Sequence, residues 1–316
     1  MFDQFGPSSV LQYRDLPDPE PIPGHALVRT RAIGLNFADV YRRKGTYHLA
    51  GVPPYIAGYE AAGEIVALGS EISGFAVGDR VGFADAPFAN AELVLVPFEK
   101  LIPLPEAIGF ETAAAVLLQG LTAQYLIRDS HDLKAGETVL VHAAAGGVGL
   151  LLVQMAKARG ARVLGLTSSP DKAQVALEAG AHEVALYSQD WVSVAKEFSE
   201  YGMDVAFDSV GSTLMQSFES VRPGGHVVFY GMAGGDPPLI DPRMLMDTSK
   251  RLTGGDLWNV LTTAERRRTL ARELFQSILL GELSVRISGM YPLSEGAKAH
   301  DQLESRQSTG KILLIP

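Results

Sequence analysis

The chain has 316 residues, 47% hydrophobic and 20% charged, with a formal net charge of −9 and no cysteine. This is globular composition with apolar mass for two cores, at roughly 150 residues per domain. It excludes disulfides, thiolate metal ligands and thiol nucleophiles, and the acidic balance removes any general attraction for nucleic acid or acidic lipid.

The first residues, Met1-Phe2-Asp3-Gln4-Phe5-Gly6-Pro7, carry an acid and no apolar run, so they do not read as a secretory signal. The longest helix-like apolar stretch, Val148 to Met155, already contains Gln154 and is too short to span a bilayer. A cytoplasmic location with no membrane partner is expected. Up to about residue 110 the chain is rich in Gly and Pro, with β-like runs at Ala26–Thr30, Gly63–Leu68 and Asp79–Phe83. These predict an all-β or β-rich domain with irregular loops. From about Gln119 strands and helices alternate. Strands are expected at Glu137–Ala143, Arg162–Thr167, Glu183–Tyr187, Asp204–Val210 and His226–Gly231. Helices are expected at Gly146–Arg159, Ser169–Ala179, Trp191–Ser199 and Thr213–Val221. Alternation at this spacing implies parallel pairing through right-handed crossovers. Near-continuous apolar strands such as Val139-Leu140-Val141 imply a sheet covered on both faces. The fold class is therefore α/β, with a doubly wound parallel sheet beside a β-rich domain. Beyond Gly231 come a Pro-rich link, a helix from Pro242, a strand near Leu252 and a long charged helix from about Thr263 to Leu280. The end reads strand, helix, strand, closing on Lys311-Ile312-Leu313-Leu314-Ile315. This tail has no place in a five- or six-stranded doubly wound sheet, which points it back to the first domain.

Between a strand and a helix stands Ala144-Ala145-Gly146-Gly147-Val148-Gly149, a G-x-G-x-x-G turn with Ala144 in place of the first glycine. Gly146 allows backbone to approach a pyrophosphate, Gly149 allows helix and strand to pack closely, and the helix N-terminus offers free N–H groups and partial positive charge. The strand–turn–helix context is what the motif needs. The alternatives are a bare Gly-rich turn, or a site for another adenosine ligand such as a methyl donor. The tip of the next strand, Thr167-Ser168-Ser169-Pro170-Asp171-Lys172, carries hydroxyls and no acid for a ribose 2′-hydroxyl. Asp171 is expected in the first helical turn. Lys172 is either a phosphate partner or a solvated helix lysine. The missing acid favours NADPH over NADH.

Together these residues resemble the medium-chain dehydrogenase/reductase superfamily in its zinc-free quinone oxidoreductase branch, which includes the ζ-crystallins. Gly34-Leu35-Asn36-Phe37-Ala38-Asp39 followed by Arg43-Lys44-Gly45-Thr46-Tyr47 is similar to an N-F-x-D…R-x-G-x-Y signature. Gly58-Tyr59-Glu60-Ala61-Ala62-Gly63 resembles G-x-E-x-x-G, and Gly120-Leu121-Thr122-Ala123 resembles the G-L-T-A that opens the cofactor domain. The glycine turn and the closing Gly310-Lys311-Ile312-Leu313-Leu314 agree as well, so the resemblance covers nearly the whole chain.

The resemblance implies a GroES-like catalytic domain over residues 1–120, a Rossmann domain binding NADPH over 121–253, and a return segment over 254–316 that completes the first. It implies transfer of reducing equivalents from NADPH to a quinone, with an enone or alkenal reductase or a non-enzymatic NADPH-binding protein as alternatives, and a homodimer. Zinc-dependent relatives hold their metal with a Cys and a His where this chain has Asn36 and Tyr59, and the seven histidines show no ligand spacing, so no metal is expected. Asn36, Tyr41 and Tyr47 are implied on the substrate side; Asn36 either donates to a substrate oxygen or bonds a loop carbonyl, and the tyrosines either face substrate or pack as core aromatics. The cofactor side is implied at Ala145, Gly146, Gly147, Val148, Gly149, Ser168, Ser169 and Lys172. Thr122 either lies near the nicotinamide or caps a helix. Tyr187 resembles a residue flanking the adenosine phosphate. Arg306 either reaches the cofactor or is a solvated helix charge. Glu60 and Asp39 are read as loop-ordering acids. Three departures from the family stand out: the first strand is short or absent, Gly254-Gly255-Asp256 replaces an Arg-Pro pair, and Phe88-Ala89-Asn90 replaces a Gly-bearing turn.

Overall fold

All 316 residues are described by the computed structural model. In chain order the elements begin β1 (His25–Leu35), α1 (Phe37–Lys44), β2 (Glu60–Leu68), β3 (Arg80–Ala84), β4 (Leu93–Pro97), β5 (Ile102–Pro103) and α2 (Phe110–Tyr125). They continue with β6 (Thr138–Val141), α3 (Gly147–Ala158), β7 (Arg162–Thr167), α4 (Pro170–Glu178), β8 (Glu183–Leu186), α5 (Trp191–Ser199) and β9 (Met203–Asp208). Then follow α6 (Leu214–Ser220), β10 (Val221–Phe229), α7 (Pro242–Thr248), β11 (Arg251–Gly254) and α8 (Leu257–Val260). The chain closes with α9 (Ala264–Leu279), β12 (Ile287–Pro292), α10 (Gly296–Glu304) and β13 (Lys311–Ile315). Two compact units result, Met1–Leu121 with Leu261–Pro316, and Thr122–Val260. The second unit runs past residue 253 because β11 adds to its sheet beside β10. No helix is long and apolar enough to cross a membrane.

The first unit is built on β1, which pairs antiparallel with β4 through its N-terminal half, with β2 along most of its length, and with β13 through Ile33–Leu35. The sheet order is β12-β13-β1-β2-β3-β5, with β4 beside β1. Val28, Ile33, Leu35, Ile65, Phe83 and Val96 form its core, joined by Ile312 and Leu314 from the chain's end. The second unit is a six-stranded parallel sheet in the order β11-β10-β9-β6-β7-β8. Strand order reverses between β6 and β9, and in such sheets ligands bind outside the carboxyl ends of the strands at that switch. Leu140, Leu164, Ala206 and Val227 of the strands pack with Trp191, Leu214 and Phe218 of the helices.

The alternating half agrees with the sequence expectation to within a few residues, apart from β10, which starts at Val221 rather than His226. A register shift between those residues accommodates Pro223-Gly224-Gly225. The β-rich half needs more correction. Helix α1 occupies a stretch read as loop, and α2 begins at Phe110 rather than near Gln119. The buried face of α1 is Asp39, Val40, Arg42 and Arg43, so charge stands where a hydrophobic stripe would announce a helix.

His300 of α10 is fully buried, and its Nδ1 lies 3.1 Å from Arg43 Nη1. A guanidinium only donates, so Nδ1 accepts. Burial, then the Arg43 charge and the N-terminal amine, push the His300 pKa down to about 3 against the opposing charge of Glu304. Burial also pushes His226 down to about 4, helped by Arg251 and His131. Both folded values lie below that of the unfolded chain, so as pH falls below about 6.5 the unfolded chain takes up protons that the folded chain refuses. Stability is full above that pH and declines toward pH 3–4. Lowering the pH from 7.5 to 5 should remove about 1–3 kcal/mol of unfolding free energy, read from urea midpoints. The variant His300→Asn keeps an acceptor for Arg43 but cannot titrate, and should show a shallower decline; an unchanged slope would reject the assignment.

Candidate functional site

In the first unit the candidate residues gather at the junction of β1 and α1. Asn36 is the N-cap of α1: its backbone carbonyl takes the Asp39 N–H at 2.9 Å, and the Asp39 carboxylate takes the Asn36 backbone N–H at 2.9 Å. Asn36 is 2% exposed, and its amide is engaged on both ends. Nδ2 donates to Glu60 Oε2 at 2.8 Å and to the Gly34 carbonyl at 3.2 Å. Oδ1 accepts from Lys311 Nζ at 2.7 Å, which fixes the amide orientation, since an ammonium only donates. Lys311 also donates to Glu60 Oε2 at 2.6 Å, and Glu60 Oε1 accepts the Leu118 N–H at 2.6 Å. Glu60 and Lys311 are 0% and 1% exposed. Burial lowers the Lys311 pKa, with the Glu60 charge opposing. Burial raises that of Asp39, against the nearby Arg42 charge. Gly34 has to be glycine here, because a Cβ would overlap the Ala114 carbonyl and the Glu60 carboxylate. Asn36 thus does bond a loop carbonyl, and both of its N–H donors are already committed. Donation to a substrate oxygen would require the amide to leave Glu60.

Tyr41 lies on α1 and Tyr47 just past its end. Both are partly exposed, with ring centroids 6.3 Å apart in an edge-to-face contact, and Phe37 lies 5.4 Å from Tyr41. Arg42 bonds Asp39 and the His48 carbonyl, and its guanidinium stacks 3.6 Å from the centroid of Tyr59. The Tyr59 hydroxyl accepts the Ala50 N–H at 2.8 Å. At Asn36 and Tyr59 this chain therefore has an amide–carboxylate–ammonium cluster and a stacked cation. No group of three or more His, Cys, Asp or Glu side chains is arranged to hold a metal. A cavity of about 260 Å³ in this unit, bordered by Leu16, Ile56, Asn90, Leu93 and Leu293, holds none of the candidate residues.

In the second unit Gly146 is the N-cap of α3, and no side chain caps that end. The first-turn N–H groups, from Gly147 onward, have no intrahelical acceptor and carry the positive end of the helix dipole. A Cβ on Gly149 would overlap the Ala143 carbonyl. Ala145 and Gly149 are buried, whereas Gly146, Gly147 and Val148 are partly exposed. The missing first glycine has a compensation: a Cβ on Gly165 of β7 would sit 2.9 Å from that of Ala144, so the space is made by the neighbouring strand. This cradle of small residues over an uncapped helix end fits a dinucleotide pyrophosphate.

The remaining candidates are dispersed. Ser169 is the N-cap of α4, its hydroxyl 3.4 Å from the Lys172 N–H, and Asp171 lies in the first helical turn. Ser168 is exposed beside it. Thr122 is 9% exposed and lies inside α2, so it is not an N-cap. Tyr187, just past β8, accepts the Ala143 N–H through its hydroxyl. Arg306 follows α10, exposed, with φ 58.

Two sets of residues escaped the sequence reading. Lys311 was only the opening residue of an apolar strand, although a glutamate on a buried strand demands a cationic partner. His142, Asp208, Thr213 and Ser217, buried in the second unit, are far apart in sequence and lack motif spacing.

Residues 22–135 match the family described as alcohol dehydrogenase GroES-like domain, and residues 147–274 match zinc-binding dehydrogenase. The chain is 43% identical to a quinone oxidoreductase of Pseudomonas aeruginosa, covering 100% of this chain and 98% of that one. It is 37% identical to a 2-haloacrylate reductase of a Burkholderia species over 94% of this chain and 92% of the other. Among solved structures, Escherichia coli quinone oxidoreductase complexed with NADPH is similar with a TM-score of 0.96, at 37% identity, covering 100% of this chain and 98% of that one.

Removing one partner of a buried ion pair strands the other charge and costs about 3–5 kcal/mol. Lys311→Met should destabilise by that order in urea unfolding. Adding Glu60→Gln should recover more than half of the loss; a double variant no better than the single one would show that the lost charge pairing is not the cause.

Proposed function

The chain belongs to the quinone oxidoreductase branch of the medium-chain dehydrogenase/reductase superfamily, and we propose that it transfers reducing equivalents from NADPH to a quinone without a metal. The observation that carries this reading is the uncapped, glycine-lined start of α3, in a chain similar over its full length to quinone oxidoreductases. NADPH, when bound, supplies a hydride. We assign Ala145, Gly146, Gly147, Val148 and Gly149 to its pyrophosphate, and Ser168, Ser169 and Lys172 to the adenosine phosphate, since the β7 tip carries hydroxyls and no acid, and Lys172 follows Asp171 in the first turn of α4. Tyr187, Thr122 and Arg306 complete the assigned cofactor side.

On the substrate side we assign Tyr41, Tyr47 and Asn36. A tyrosine hydroxyl aimed at the oxygen that gains charge stabilises the transition state more than the ground state. The amide of Asn36, tied to Glu60 and Lys311, fixes the start of α1 and with it the positions of both rings. A reduced quinone takes its proton from solvent, so the site needs no dedicated acid. The likeness to a 2-haloacrylate reductase favours a second reading, reduction of an activated carbon–carbon double bond, in which Tyr41 or Tyr47 would deliver the one proton required, to the carbon that does not take the hydride. A cytoplasmic homodimer completes the proposal, supported by the absence of cysteine and by the free outer edge of β11. Sedimentation of a 33.8 kDa species at micromolar protein would reject the dimer.

The activity test is NADPH oxidation with 1,4-benzoquinone or 9,10-phenanthrenequinone, beside a haloacrylate; turnover of the haloacrylate alone would transfer the assignment to the second reading. A lysine–phosphate hydrogen bond is worth about 1.5–3 kcal/mol, or roughly ten- to a hundredfold in affinity. Lys172→Ala should weaken NADPH binding by that factor and leave NADH binding unchanged in fluorescence titration. Equal losses for both would remove Lys172 from the phosphate.

A further inference from the structure

The loop that carries Tyr47 leaves α1 at Gly45 and meets regular pairing again at Tyr55, with no helix or strand from Thr46 to Pro54. Its two ends are joined by the first residues of the chain, which the proposed function does not use. Phe2 and Tyr55 form an antiparallel bridge: the Tyr55 N–H donates to the Phe2 carbonyl at 2.8 Å, and the Phe2 N–H to the Tyr55 carbonyl at 3.0 Å. At the other end the Gly6 N–H donates to the Arg43 carbonyl at 3.1 Å, and Arg43 Nε donates to the Gly6 carbonyl at 3.1 Å.

Phe5 stands between these anchors and touches both ends of the loop. Its ring stacks on that of Tyr55, with centroids 5.6 Å apart and planes 18° from parallel. The same ring covers Gly45, where a Cβ would lie 2.8 Å from Phe5 Cδ2 and Cγ. The glycine that ends α1 in a left-handed conformation, with φ 77, thus also gives the ring its seat. Phe2, which is buried, completes the cluster at 5.2 Å from Tyr55 and 6.4 Å from Phe5. Inside the loop, the Thr46 N–H donates to the Tyr41 carbonyl, the Ala50 N–H to the Tyr59 hydroxyl, and Gly51 faces the Phe88 ring. Phe5 itself is 50% exposed, so it bridges the base of the loop without filling the core, and truncating it opens no core cavity. Tying the ends of a loop together narrows the conformations open to every residue within it.

We propose that Phe5 is a positioning residue for the acceptor side: by bridging Gly45 and Tyr55 it closes the base of the loop that carries Tyr47 and sets the placement of that ring. The proposal rests on the reading of Tyr47 as a substrate residue. It gives an exposed aromatic side chain near the start of the chain a part in the chemistry without contact with the acceptor.

Steady-state kinetics with 9,10-phenanthrenequinone at saturating NADPH, on variants shown to be folded by circular dichroism, test it. An aromatic pair of this kind is worth roughly two- to tenfold. Phe5→Ala should lower kcat/KM by that factor, and Phe5→Tyr, which keeps the stack, should retain the wild-type value. In a Tyr47→Ala background Phe5→Ala should cost nothing further, whereas in a Lys172→Ala background it should cost the full factor. No loss in Phe5→Ala, the same loss with and without the Tyr47 ring, or failure of Phe5→Tyr to retain activity overturns the proposal. Amide hydrogen exchange reads the loop with neither cofactor nor acceptor present. Peptides covering Thr46 to Val52 should exchange roughly two- to tenfold faster in Phe5→Ala, with β2 and α2 unchanged. Unchanged exchange in the loop overturns the proposal. If the loop loosens as expected but wild type reduces no quinone, the substrate reading of Tyr47 fails, and the closure of the loop by Phe5 stands.

Discussion

A lysine and a glutamate buried side by side dictate the arrangement of the first unit. Each charge costs several kcal/mol to take out of water, and the pair is tolerable only when the remaining hydrogen-bonding capacity is filled. Lys311 spends two of its three N–H donors on Asn36 and Glu60, and Glu60 accepts from Lys311, Asn36 and the Leu118 N–H. Those demands bring β13 beside β1, require glycine at position 34, and set the amide of Asn36 in one orientation. Through the contacts of Asn36 with Asp39 they also fix where α1 starts. Of the tyrosines assigned to substrate, Tyr41 is carried on, and Tyr47 lies just past, a short helix whose first turn is tied to a buried charge pair. A helix of eight residues has little intrinsic stability in water, so this tether does what length cannot.

The parallel sheet was legible because apolar strands and amphipathic helices alternate at a spacing that permits one topology. The glycine turn was legible because its flanking strand and helix could be read independently. Helix α1 was not, since three of its four buried residues are charged and their burial depends on partners elsewhere: Asp39 on Arg42 and the Asn36 backbone, Arg43 on His300 and Glu304. Long-range polar pairing of this kind has no period. The same holds for His142, whose partners come from after β8, β9 and α6. Asn36 was marked as a candidate through resemblance, but which way its amide is spent depends on Lys311, 275 positions away.

Backbone strain is concentrated at turns, and two cases show how it is managed. Ala143 takes a left-handed conformation that glycine would adopt more easily, and its N–H donates to the Tyr187 hydroxyl. Phe88 does so too, with φ 70. Strained residues persist where their surroundings over-determine them. At Ala143 those surroundings include Gly149, which packs against its carbonyl.

The separation between Glu60 and Lys311 along the chain is 251 positions, and the entire second unit lies between them. During synthesis the second unit is finished while the first still lacks β12, β13 and the cation for Glu60. Until the last strand emerges, the nascent first unit holds an unpaired carboxylate and an open edge on β1, both of which disfavour premature closure of its core. Strand β13 therefore acts as the latch on the half of the protein that was made first, and translation order sets the order in which the two units mature.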